Sequence, residues 1–99
     1  MIDEKKRSLW GAEIGTLDTE SKLTAYGAKS LGGAILSKLP EKSKLHKLGF
    51  RVDDVILKID QFKIGTAQDL IQFFSKAYLP GSAYQVKLLR GQKEIKIKF

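Results

Sequence analysis

The sequence predicts an α+β domain of five to six mainly antiparallel strands with two helices and a short helical turn. Three observations carry that prediction. Short apolar runs of period two, such as Val55, Leu57 and Ile59, alternate with helix signals, such as the Thr66-Ala67-Gln68-Asp69 start. Gly or Pro stands where the period changes, at Gly27, Pro40, Gly49, Gly65 and Pro80. The last stretch, Tyr84–Leu88 and Glu94–Phe99 joined through Arg90-Gly91-Gln92, reads as a hairpin.

With 99 residues the chain has the size of one domain with a single modest core. Residues 1–8 are polar and of mixed charge, and are expected to be a flexible lead or linker end before a domain of residues 9–99. Leu9–Leu17 reads as one extended segment with Trp10, Ala12, Ile14 and Thr16 on one face. Its glycines, Gly11 and Gly15, weaken it as sheet and often mark the close approach of a ligand or another backbone. Asp18 or Thr19 caps a short helix over Glu20–Tyr26, which Gly27 ends. A second strand covers Ala34–Leu39. Phe62–Ile64 is a short extended piece, and a capped helix runs from Thr66 to about Tyr78 with a wide apolar stripe of Leu70, Ile71, Phe73, Phe74 and Ala77.

Eighteen Lys and Arg against eleven Asp and Glu leave a formal charge of +7. Fifteen of the eighteen are lysines scattered along the chain, without the Arg and aromatic clusters of a nucleic-acid face. No cysteine is present, so disulfides and Cys-based metal sites are excluded. No apolar run approaches the roughly 18 residues of a membrane span, and Met1–Ser8 has no apolar signal core. Catalytic patterns are also missing. His46 is the single histidine, Gly27-Ala28-Lys29-Ser30 has the wrong spacing for a nucleophile elbow, and neither Lys29-Ser30 nor Lys42-Ser43 follows a glycine as a phosphate loop requires. The reading is therefore no catalytic residue, no metal and no cofactor.

The most informative run is Ser43–Gln61. Ser43 caps a helical turn, Leu45 and Leu48 give it an apolar side, Gly49 ends it, and an apolar strand follows Asp54 and closes in a turn at Asp60-Gln61. In Ser43, Leu45, Leu48, Gly49, Phe50, Asp54, Ile56 and Ile59 this run resembles the signature of PDZ domains in their bacterial form. Asp53 and Gln61 depart from it, each standing where the family usually carries glycine. The order of elements is similar to the circularly permuted PDZ arrangement of HtrA/Do-type serine proteases, over about residues 9–99.

That resemblance implies a PDZ-like, partly open barrel. It also implies binding of a hydrophobic C-terminal or extended peptide segment, added as a strand between Leu9–Leu17 and the Thr66–Tyr78 helix. The family's carboxylate-binding loop falls on Leu9, Trp10, Gly11 and Ala12, where successive N–H groups turned into one concavity make an anion site. Trp10, Ala12 and Ile14 then line the pocket for the terminal side chain, against core packing as the competing reading. Spacings of i, i+4 and i+7 put Thr66, Leu70 and Phe73 toward the ligand and Ala67, Ile71 and Phe74 beneath. A Thr66 hydroxyl that caps the helix cannot also select a polar ligand side chain, so the groove is expected to read apolar residues.

By the same resemblance the domain is expected to be a non-enzymatic, monomeric module that regulates or targets an attached bacterial protease in a periplasmic or other extracytoplasmic setting. No nucleic acid and no membrane insertion are expected. The alternative is a docking or structural domain of another exported enzyme, such as a carbohydrate-active hydrolase, with the groove unused or blocked. A polyanion binder, argued only from +7, would differ in losing affinity steeply with salt.

Overall fold

A computed structural model describes residues 7–99. Seven strands form one antiparallel, open sheet: β1 (Arg7–Leu9), β2 (Ala12–Thr16), β3 (Ala34–Lys38), β4 (Val55–Ile59), β5 (Phe62–Lys63), β6 (Gln85–Arg90) and β7 (Lys93–Lys98). Their order is β1-β2-β3-β4-β6-β7, with β5 folded back on β4. Three helices complete the chain: α1 (Glu20–Tyr26), α2 (Lys44–Lys47) and α3 (Ala67–Gln72), the last continued by a π-helical segment, Phe73–Ala77.

Local chemistry sets most of these boundaries. Thr19 caps α1 by accepting from the Lys22 amide at 3.2 Å, and Gly27 ends it in the left-handed region at φ 67°. Only glycine fits there, because a Cβ would come within 2.7 Å of Gln92 Cβ. Ser43 caps α2 through the Leu45 amide. Thr66 caps α3 by accepting from the Asp69 amide at 3.1 Å, while the Asp69 carboxylate reaches back to the Gly65 amide at 2.9 Å.

Both departures from the PDZ signature are accommodated. Asp53 takes the left-handed conformation itself, at φ 67°. At the β4–β5 turn the positive φ falls on Asp60 (51°), sparing Gln61, and Asp60 also exchanges hydrogen bonds with the backbone of Gln85 at 2.7 and 2.8 Å.

The core lies on the inner face of the sheet, where Ile14, Leu36, Leu45, Phe50, Ile56, Ile59, Val86 and Leu88 are fully buried with α3. One charged group goes in with them. Asp54, with 0 % exposure, accepts from the Arg51 amide and from two nitrogens of Arg90 at 2.9 and 2.7 Å, and Arg90 also donates to Gly49 O at 3.0 Å. Those hydrogen bonds, and then the carboxylate charge, raise the Arg90 pKa further, against the opposing effect of burial. The clamp ties the end of β6 to the loop before β4.

On the outer face Lys63 stands opposite Lys58, Lys58 opposite Lys87, and Lys87 opposite Lys96. Glu94, 3.6 Å from Lys87, offsets part of this like-charge row. No helix of the described residues is long and apolar enough to cross a membrane.

The start of the chain differs from the single strand expected over Leu9–Leu17. Trp10 and Gly11 both have positive φ, 51° and 83°, so the segment folds into a two-residue hairpin of two strands. This makes the count seven strands. Arg7 and Ser8, expected in the flexible lead, belong to β1, and the rest of that lead, residues 1–6, lies outside the described residues.

Candidate functional site

β2 pairs with β3 along one edge. Its other edge, the one beside α3, is where the sequence places an incoming strand, and there β1 lies antiparallel with Arg7 opposite Ile14, Ser8 opposite Glu13 and Leu9 opposite Ala12. The expected carboxylate loop, Leu9-Trp10-Gly11-Ala12, is thus the closed tip of this hairpin. Gly11 accepts its conformation freely, whereas Trp10, a bulky residue in the left-handed region, does not.

Two contacts orient α3 across this edge. At one end the Ala67 amide donates to Thr16 Oγ1 at 2.9 Å, pinning the start of α3 to the end of β2. At the other, the Trp10 ring meets Phe74 edge-on at 5.1 Å and Tyr78 at 6.3 Å. The groove therefore runs along β2 from Thr16 to the Trp10 ring. Ala12, Ile14 and Leu70 are fully buried, and Phe73 is 4 % exposed, so these groove residues are part of the core while β1 lies over them.

The helix face also differs from the expected one. Phe73, expected toward the ligand, packs edge-on against Phe62 at 5.4 Å and Tyr84 at 5.2 Å; Phe74, expected beneath, is the ring that meets Trp10. Phe74 stands four residues after Leu70, so the α-helical face that carries Leu70 presents Phe74 as readily as Phe73; the i→i+5 hydrogen bond from the Tyr78 amide to Phe73 O, at 2.8 Å, marks the π turn that follows. Thr66 is exposed and spends its hydroxyl on the cap.

Beneath the hairpin tip opens a hollow of about 400 Å³ lined by Trp10, Leu48, Phe74, Tyr78 and Pro80, with Lys44 and Lys47 at its rim. Lys44 Nζ sits 5.3 Å from the centre of the Trp10 ring. Apolar walls with two ammonium groups at the mouth suit an apolar side chain next to a carboxylate. The sequence reading missed all of these residues except Trp10. The spacing of Lys44 and Lys47, three apart on a helical turn, was the available signal, and it says nothing of what the turn faces.

Potential catalytic groups are not assembled in the groove. His46 is half-buried in α2, and the described residues contain no group of three His, Cys, Asp or Glu able to hold a metal ion. Tyr26, whose pKa is raised by burial first and then by Asp53, lies on α1, away from these residues.

A family model for the PDZ domain matches residues 15–99. The chain belongs to the PDZ family. Among solved structures, the HtrA3 PDZ domain bound to a phage-derived ligand, FGRWV, is similar in fold, with a TM-score of 0.67 at 12% identity over 94% of this chain and 84% of that one. No curated protein matches the chain. PDZ domains are in general non-catalytic protein-interaction modules, which fits the apolar, strand-edged character of this site.

Proposed function

We propose that this PDZ domain binds the hydrophobic C-terminal segment of a partner protein by strand addition to the edge of β2 that faces α3. The observation that carries the reading is that this edge takes an antiparallel strand and ends at an apolar hollow with Lys44 and Lys47 at its mouth. Backbone pairing then supplies affinity, and the hollow and its lysines read the last side chain and its carboxylate. With one short strand, one side chain and one carboxylate in contact, the expected affinity is about micromolar, or about −8 kcal/mol.

The peptide-bound HtrA3 PDZ neighbour and the order of elements, with the groove strand near the start, support placing the module in a bacterial protein of the HtrA/Do protease type. There it regulates or targets an attached serine protease in the periplasm or another extracytoplasmic space, as a circularly permuted PDZ domain that is monomeric in isolation.

The test is an amide chemical-shift titration with FGRWV as the free acid and as the C-terminal amide. Shifts at Ala12–Ile14, Lys44, Lys47 and Phe74 with the free acid alone are expected. No shift with either peptide would instead favour a docking or structural PDZ domain of another exported enzyme, such as a carbohydrate-active hydrolase. The specific observation on that side is β1, which already fills the edge.

A further inference from the structure

We propose that β1 is a built-in pseudo-ligand, which holds the β2 edge against peptides. The proposal rests on the peptide-binding reading above and adds its regulation.

Direction comes first. A peptide added antiparallel to β2 brings its C-terminal end to Ala12, and that is where β1 places Leu9. Leu9 is half-buried against the core, as a ligand's last side chain would be, whereas Ser8, opposite Glu13, is exposed and reads nothing.

The occupant is weakly held. The turn that returns the chain forces Trp10 to φ 51°, a conformation unfavourable for a bulky L-residue. A peptide offers the same backbone groups without that strain. What β1 has in its place is its tether, which keeps it next to the edge at high local concentration. Peptides therefore bind only the fraction of molecules in which β1 has lifted, and the apparent dissociation constant rises by the inverse of that fraction.

The chain has no cysteine, so one disulfide can lock the hairpin. Ser8 and Glu13 face each other directly across the antiparallel pair, where Cα atoms lie about 4.5–5.5 Å apart, within disulfide reach. The Ser8→Cys/Glu13→Cys chain is titrated, oxidised and then reduced, with the free-acid pentapeptide FGRWV. Leu9→Pro, which strips an N–H from β1, is titrated beside the unaltered chain.

The reduced form is expected to bind FGRWV at least tenfold more tightly than the oxidised form, and Leu9→Pro more tightly than the unaltered chain. Equal affinity in the oxidised and reduced forms would overturn β1 as the competitor while leaving peptide binding in place. Absence of binding in every form, Leu9→Pro included, would remove the peptide-binding reading itself, and the proposal with it.

Discussion

The chain contains two hairpins with the same kind of turn and opposite degrees of attachment. Trp10-Gly11 joins β1 to β2 and Gly91-Gln92 joins β6 to β7, each with two residues at positive φ. The second hairpin is zipped over six residue pairs and fastened at its turn end by the buried Asp54–Arg90 clamp. The first is held at its turn end by the edge-on packing of Trp10 against Phe74 and Tyr78, and its Leu9 is only partly buried where Leu88 of the second is fully buried. A turn type therefore says little about how firmly a strand is held. That is decided by what the strand buries and what its ends are tied to, and in this molecule the less buried hairpin is the one beside the groove.

Truncating a leucine in each hairpin gives the largest contrast. Leu88→Ala, in the core of β6, is expected to cost about 3 kcal/mol, and Leu9→Ala, half-buried in β1, less than about 1 kcal/mol, by urea unfolding. Comparable losses would make β1 as integral as β6 and break the comparison.

Next comes the clamp. Arg90→Ala leaves the Asp54 carboxylate buried without its partner and should cost about 2–3 kcal/mol, at the lower end for such pairs because Arg90 itself is about one-third exposed. The same unfolding curves measure it, and a loss below about 0.5 kcal/mol would mean that the ladder alone anchors β6.

A smaller effect of opposite sign should come from the lysine row that crosses the second hairpin. Lys58→Glu turns its repulsion with Lys63 and Lys87 into attraction, and should stabilise by about 0.5 kcal/mol at low salt, shrinking as salt is added. Salt-independent behaviour would show that the row is fully screened already.

The smallest effect is alkaline. Tyr26 lies beside Gly91 and Gln92, and its folded-state pKa is raised above the ordinary 10.0 by burial and then by Asp53. The stability it contributes is therefore complete below pH 10 and lost as pH rises through the folded value. Thermal unfolding of Tyr26→Phe should show a shallower decline above pH 10 than the unaltered chain.

Much of the fold was legible because its signals are local. Ser43, Gly49 and Asp60 act within a few residues of where they stand, and Thr66 and Asp69 cap α3 much as their spacing indicates. The region around the groove was less legible for three physical reasons. Alternation of Trp10, Ala12 and Ile14 looks like one strand, and a tryptophan at positive φ is the last residue from which to expect a turn. Phe73 and Phe74 stand three and four residues after Leu70, so spacing alone does not choose which of them meets Trp10. Contacts such as Asp54 with Arg90, 36 residues apart, and Lys44 with Trp10 depend on tertiary packing that no local pattern encodes.

The bond between Thr16 and Ala67 bears on the width of the groove. It joins two groups 51 residues apart, the last side chain of β2 and the first amide of α3, so a single hydroxyl fixes how far the helix stands from the strand at that end. A residue without that hydroxyl at position 16 would leave the Ala67 amide to water and the helix hinged at one end, and the width of the groove would become a variable where it is now a constant.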